Sequence, residues 1–416
     1  MSLIMKLAGR NIFRNIHRTV LTVMLISFGL AALLFADGFI KGMMKTLTII
    51  STETYLGHAQ IHKKGYRASN DVDDYIQNIA ELEKTLLADS DVKSFSVRTI
   101  SGAMLSSSEN ISSVSLMGVN AEQEASVSSI KAAMIEGSYL SGSASADSSE
   151  SRNDTEIIIG YDLADLLGVG LGDRIVVTVS AAHGGELSQE LFRVSGLFKF
   201  NDRAMDKGMA FINLAKSQKL LNISGAHEVV LKFQDLSMAD DAALPIWTSI
   251  KDNEIEILDW KKLVPQLSSL LELSSFSTLI ISTIMFSLVA LGLINSMFMS
   301  IYERHQEFGV LLALGTRPSQ IFFQIMSEGF LLGVISAFIG LILGGAISYW
   351  YSIVGIDYGN MEMSGLTISQ PIYSIVEPLA FIELSIAILV ITTLACVYPA
   401  LHAAKLSPSF AMRKVA

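Results

Sequence analysis

The chain has 416 residues, half of them hydrophobic, a mean hydropathy of +0.46 and a formal charge of −10. That is too apolar for an ordinary soluble protein and calls for several membrane-spanning helices beside a polar domain. Residues 46–268 carry 19 Lys+Arg against 31 Asp+Glu, or −12, leaving about +2 for the remainder; an acidic polar domain argues against nucleic acid, which needs a basic face.

Residues 1–18 place Leu3, Leu7, Ile12, Phe13 and Ile16 among Lys6, Arg10, Arg14 and Arg18. This is the pattern of an amphipathic helix on a membrane interface, basic side toward anionic headgroups; a plain cytoplasmic tail is the alternative. A spanning helix needs about 20 mostly apolar residues. Four stretches supply them: Val20 to Ile40, Phe276 to Ile301, Ile321 to Val354 and Leu379 to Tyr398. Residues 19–50 are expected to form the first span and a projecting stalk, with Asp37 paired to Lys41 one turn on.

Residues 51–262 read as a mixed α/β domain. Strands are expected at 58–66, 94–105, 111–119, 191–200, 209–214 and 227–233, and helices at 79–87 and 215–221. Residues 156–180 read strand, short helix, turn, strand. The part from about 120 to 225 is expected to be an inserted subdomain, and the Ser-rich 138–151 a flexible loop. From Leu263 a helix is expected to run straight through the second span (263–301). A charged segment (302–320), third span (321–354), short loop (355–378), fourth span (379–400, its exit bent by Pro399) and tail (401–416) follow. Gly329, Gly333, Gly340, Gly344 and Gly345 punctuate the third span. Such spacing lets helices approach closely, within the chain or against a second subunit. Glu328 early in that span is expected either against a partner or at the interface.

Orientation follows the positive charges beside the spans. Lys6, Arg10, Arg14, Arg18, Arg304, Arg317, Lys405, Arg413 and Lys414 mark the two termini and the 302–320 segment. The 351–378 loop has no Lys or Arg but has Asp357, Glu362 and Glu377. The fold class is therefore four transmembrane α-helices with a large mixed α/β extracytoplasmic domain inserted between helices 1 and 2. Both termini and 302–320 are expected in the cytoplasm.

Catalytic signatures are sparse. No GxxxxGK[ST] pattern occurs, so the chain is not expected to hydrolyse ATP. His58 and His62 lie in a strand-like stretch without a Cys or carboxylate cluster, so no metal site is expected. The one cysteine, Cys396, sits in the fourth span. A non-catalytic subunit is the expectation.

The segment YERHQEFGVLLALGTRPSQIFFQIMSEGFLLGVISAFIGLILGG (302–345) resembles the MacB/FtsX-type permease signature of ABC transporters. YPALHAAKLSPSFAMR (398–413) resembles that family's C-terminal motif, and RNIFRNIHRTVLTVMLISFGLA (10–31) its N-terminal one. EIIIGYDLADLLGVGLGDRIVV and VSGLFKFNDRAMDKGMAFINLAKSQKLL look like its extracytoplasmic core. GHAQIHKKGY and the overall length look most like LolC/LolE-type permeases. The resemblance implies a bacterial inner-membrane permease that works with a second permease subunit, the same or related. A separate cytoplasmic ABC ATPase dimer binds ATP and Mg, and a periplasmic carrier or adaptor serves the outer domain. ATP-driven motion would be passed through the spans to that domain by mechanotransmission, extracting lipoprotein substrates from membrane lipid. It places Glu303, Arg304, Glu307, Phe308, Gly309, Leu314 and Gly315 in the ATPase-coupling segment. There charged residues would engage the ATPase, Phe308 and Leu311–Leu314 would enter a groove on it, and Gly309 and Gly315 would turn the helix. His305-Gln306 departs from the more charged residues of many relatives. Phe39, Met43, Met44, Leu47, Leu271 and Phe276 are candidate substrate contacts, adaptable Met suiting acyl chains; ordinary stalk packing is the competing reading. A MacB-like exporter and an FtsX-like regulator of a cell-wall hydrolase are the alternatives, the latter disfavoured by the size of the outer domain.

Overall fold

The computed structural model describes residues 8–11, 13–141, 155–240, 244–250, 254–359, 361–363, 366–368 and 371–405. The expectations for Leu3, Lys6, Leu7, Ile12, most of the Ser-rich loop, Arg413 and Lys414 lie outside these residues. Helix α1 (Ile16–Ser51) ends in a π-helical turn, Thr52–Leu56. Then come β1 (Ala59–Lys63), α2 (Ile79–Ala88), β2 (Val92–Ser106), β3 (Ile111–Val119), α3 (Ala121–Val127), β4 (Met134–Gly137) and β5 (Glu156–Gly160). They are followed by α4 (Tyr161–Leu167), β6 (Arg174–Ser180), β7 (Leu187–Phe198), α5 (Arg203–Gly208), β8 (Met209–Asn213), α6 (Leu214–Leu221), β9 (Glu228–Phe233) and β10 (Ile255–Asp259). The chain continues as α7 (Pro265–Glu303), α8 (His305–Ala313), α9 (Pro318–Val354), α10 (Pro378–Ala395) and α11 (Val397–Ala404). It divides into a helical unit (1–45, 271–357, 371–416) and an α/β unit (46–270, 358–370).

Among the described residues, four helices are long and apolar enough to cross a membrane: Ile16–Leu56, Pro265–Glu303, Pro318–Val354 and Pro378–Ala404. In the helical unit Val23, Ile26, Leu30 and Leu34 of α1 pack with Val289, Leu293 and Met297 of α7, Leu332 of α9 and Ile388 of α10. Lipid is as apolar as these side chains, so close packing must hold the helices together. The glycines of α9 provide it inside the chain. A Cβ on Gly344 would lie 2.8 Å from Leu34 Cδ1 and 3.0 Å from Ala31 Cα, and one on Gly340 3.0 Å from Leu30. Gly329 and Gly333 lie against Cys396 and Thr392 instead. Asp37 and Lys41 pair at 3.0 Å, and Lys41 Nζ also reaches Glu377 Oε2 at 2.6 Å. Two expected details differ. Helix α7 starts at Pro265 rather than running on from Leu263, because Val264 leaves helical geometry and Pro suits a first helical position. The bend near Pro399 falls earlier, at Cys396, because Pro399 has no N–H to offer the carbonyl of Ala395.

Among the described residues of the α/β unit, ten strands form one sheet. The pairs β2–β3, β3–β8, β8–β5, β5–β7, β7–β6 and β6–β2 close six of them into a small barrel. Period-2 alternation turns Leu105, Leu116, Ile157, Ile159, Val177, Phe192 and Ile212 into its core, together with Leu163 of α4 and Leu221 of α6. The segment from about 120 to 225 thus shares a sheet with the strands before it. The first half of β2 pairs instead with β9, which continues through β1 to β10.

Beneath that extension lies a polar cluster. Arg98 is fully buried and donates to Glu124 Oε2 (2.8 Å) and Oε1 (2.7 Å), Glu228 Oε1 (2.8 Å) and the Tyr55 carbonyl (2.9 Å). Its guanidinium sits 4.5 Å from the Tyr55 ring centroid. Burial alone would lower the Arg98 pKa, but Glu124 and Glu228 outweigh it and hold it above its usual value. Burial pushes Glu124 up, and Arg98 overrides this to hold its carboxyl below the usual range. One arginine thereby seats the π-helical turn on the sheet.

Candidate functional site

The candidate site is the 302–320 segment. Two backbone features shape it. Arg304 (φ −101°, ψ 12°) leaves helical geometry and separates α7 from α8. Gly315 takes φ +95° after α8, a conformation that favours glycine, and its N–H bonds Leu312 O at 3.1 Å. Pro318 then opens α9. Gly309, expected to turn the helix, lies inside α8 and is buried; the turn belongs to Gly315 alone, since a mid-helix glycine keeps ordinary helical angles.

Phe308 is fully buried among Ile301, Ile321, Ile325, Ala400 and Ala403, fastening α8 to α9 and α11. Arg304 is 7 % exposed, stacks on Phe308 at 4.8 Å, and donates from Nη1 to Glu328 Oε1 (2.8 Å) and Oε2 (3.1 Å). Its Nε also reaches Glu307 Oε2 at 3.4 Å. Glu328 is thus buried against the chain's own residues.

Residues 11–18 meet the same carboxylates. Asn11 Nδ2 donates to Glu328 Oε1 (2.7 Å), Arg14 Nη1 to Glu307 Oε1 (2.6 Å) and Asn15 Nδ2 to Glu303 Oε2 (2.8 Å), while Arg18 pairs with Glu303. Sequence reading missed Asn11 and Asn15. The recurrence of Asn11, Arg14, Asn15 and Arg18 at helical three-and-four spacing marks a shared polar face but not what it meets.

The seven coupling residues therefore separate. Arg304, Phe308 and Gly309 are buried, Glu303 and Glu307 are exposed but tied to residues 14–18, and Gly315 is exposed in the turn. Leu314 is 79 % exposed, with Val310 and Leu311 exposed beside it. Of the candidate substrate contacts, Met44 and Leu47 are buried, Phe39, Met43 and Leu271 are half-buried, and Phe276 is exposed. Phe39 stacks on Phe35, which meets Tyr351.

Two family models match the chain: the MacB-like periplasmic core domain over residues 19–244, more than half of the sequence, and the FtsX-like permease C-terminal model over 279–408. Among curated proteins, the lipoprotein-releasing system transmembrane protein LolC of Xylella fastidiosa is 26 % identical over 273 residues, covering 62 % of this chain and 64 % of that protein. The chain thus spans just under two thirds of that relative's length. LolE of Haemophilus influenzae is 22 % identical over 400 residues, covering 92 % of this chain and 91 % of its own. Among solved structures, the periplasmic region of MacB from Actinobacillus actinomycetemcomitans aligns over 54 % of this chain and 98 % of its own length, at 15 % identity and a TM-score of 0.35. The chain belongs to the FtsX/MacB family of ABC transporter permeases.

Proposed function

We propose that this chain couples ATP hydrolysis on a separate ATPase, which binds ATP and Mg, to mechanical work by its α/β unit, and that the work is lipoprotein extraction from a bacterial inner membrane. In this reading the α/β unit is inserted between the first two spans on the periplasmic side, and both termini are cytoplasmic. The observation that carries the coupling half is the division of labour in the 302–320 segment. Its arginine and carboxylates are tied inward or sideways, while Val310, Leu311 and Leu314 present an apolar strip that a partner groove can take. The cargo half is supported by LolC and LolE among the relatives. Phe276, Phe39, Met43 and Leu271 are the accessible members of the substrate-contact set, and Met44 and Leu47 pack the stalk.

Mass spectrometry of the complex purified with its ATPase tests this. The expected result is a stoichiometric lipid-modified protein that leaves on addition of ATP. Stimulation of the ATPase by a small amphiphile or peptide, with no lipoprotein bound, would replace extraction by export with a periplasmic adaptor. That second reading draws on the macrolide export protein MacB of Campylobacter fetus, which is 36 % identical over 64 residues.

A further inference from the structure

We infer that Asn11, Arg14, Asn15 and Arg18 form a positioning strap for the coupling segment, holding the end of α7, α8 and the start of α9 to the N-terminal end of α1 so that they move as one body. The inference rests on the coupling reading above. The stretch 302–328 contains three carboxylates, Glu303, Glu307 and Glu328, and side chains of residues 11–18 reach all three. These contacts bridge about 290 to 320 positions of sequence and join the stretch leading into α1 to the end of α7, α8 and α9. One turn further along, Thr22 Oγ1 and Ser296 Oγ meet at 2.6 Å and extend the tie between α1 and α7.

The strap matters because α8 is jointed at both covalent ends. Arg304 breaks it from α7, and the positive-φ Gly315 breaks it from α9. A push on α8 could therefore be absorbed by rotation at those joints. Side-chain ties decide otherwise. Phe308 fixes α8 to α9 and α11, Arg14 reaches Glu307 within α8, and Arg18 of α1 holds Glu303 at the joint between α7 and α8. The grip strengthens inward: the Arg14–Glu307 side chains are half exposed, those of Arg18 and Glu303 are 21 % and 37 % exposed, and Glu328, held by Asn11 and Arg304, is buried. Helix α1 then runs unbroken for 36 residues, a stiff rod compared with a jointed segment. Asn11, Asn15 and Arg18 act through Glu328 and Glu303, on either side of α8, and are positioning residues.

The test is a charge-swap cycle in the full chain with its ATPase: Arg18→Glu, Glu303→Arg and both together, with Arg18→Gln as the milder variant should the reversal prevent folding. In Arg18→Glu the ATPase should remain bound, and cargo released per ATP hydrolysed should fall about tenfold, the scale on which coupling residues act. The double swap should recover most of the loss, since the Asn15 amide can turn its oxygen to an arginine at 303. Chymotryptic cleavage after the exposed Leu314, measured on the permease alone, should be about fivefold faster in Arg18→Glu and return to the original rate in the double swap. Unchanged release per ATP in Arg18→Glu, or no recovery in the double swap, overturns the strap. If the unaltered complex releases no cargo with ATP, the functional reading fails. The cleavage rates then decide the strap alone: unchanged cleavage in Arg18→Glu and Arg18→Gln rejects it, and faster cleavage reversed by the swap upholds it.

Discussion

Two arginines, Arg98 in the α/β unit and Arg304 in the helical unit, each contact two carboxylates. Arg98 is fully buried, and its partners lie on α3 and β9, elements locked into one sheet assembly. Arg304 is bonded to Glu328 inside and to Glu307 at the surface, on two helices separated by the Gly315 turn. The first network has no exposed member and no joint between its parts. The second is graded from buried to exposed and strung across joints. Desolvated charges are costly to separate, whereas solvated ones exchange partners freely. The Arg98 cluster is thus built to stay closed under load, and the Arg304 cluster to be repositioned as a group.

The largest effect is expected at Arg98. Arg98→Met leaves Glu124 and Glu228 buried without a counter-charge, at a cost of about 3–5 kcal/mol. Thermal unfolding of the full chain in detergent should show the α/β unit melting well before the helical unit. Adding Glu124→Gln and Glu228→Gln should recover much of the loss; failure to recover would mean that the arginine's packing on Tyr55, not its charge, dominates. Arg304→Ala is expected to cost less, about 2–3 kcal/mol, since Glu328 keeps Asn11 and Glu307 keeps Arg14. Hydrogen exchange should locate that loss in α8. Faster exchange throughout α7 and α9 instead would break the contrast drawn between the two clusters.

The same contrast explains what could be read from sequence. Alternating residues located β2 and β3, while β5, β6 and β9 were legible as short runs rich in Ile and Val. Closure of the barrel was not legible, since nothing in β6 announces that its two edges meet β2 and β7. The i,i+4 ion pair Asp37–Lys41 was readable because both partners lie on one helix. The ties of Asn11 and Asn15 depend on tertiary placement across some 300 residues, and Arg98 sits in an ordinary strand pattern with no local mark. In the coupling segment Gly315 could be assigned to the turn, but Gly309 and Phe308 could not be told from partner-facing residues until their burial was seen.

Close packing in α9 offers a third test, unrelated to charge. Gly344→Leu places a side chain where Leu34 and Ala31 already lie, and overpacking of this kind costs about 1–3 kcal/mol. Gly345→Ala, whose Cβ would meet Phe381 at an ordinary 3.6 Å, should be nearly neutral. Comparable losses of melting temperature in both would sink the assignment to the contact with α1, since helix propensity favours both substitutions.

Acidification separates the two regions again. Burial holds the pKa of His58 at about 4 and also lowers those of His62 and His227. These histidines are neutral in the folded α/β unit and bind protons on unfolding once the pH drops below their ordinary value of about 6.5. Their contribution is therefore complete above about pH 6.5 and lost as the pH falls from there toward the folded pKa. Glu124, held low by Arg98, still contributes fully at pH 5, so its loss begins only at lower pH. Between pH 7.5 and 5 the amides of β1 and β9 should lose protection, after correction for intrinsic exchange, while α8 keeps its own.

The smallest effect is expected at the rim of the strap. Arg14 and Glu307 are each about half exposed, and a solvated pair of this kind contributes about 0.2–1 kcal/mol or less. Arg14→Ala should leave the melting temperature within a degree or two and slow neither ATPase binding nor cargo release, in contrast to Arg18→Glu one turn further in. Glu307→Ala should be somewhat more costly, because it also removes the 3.4 Å contact to Arg304 Nε. If Arg14→Ala uncouples as strongly as Arg18→Glu, the grip of residues 11–18 is not graded by burial. The strap would then work through long-range charge rather than contact, a difference that raising the salt concentration would expose by weakening the exposed pair first.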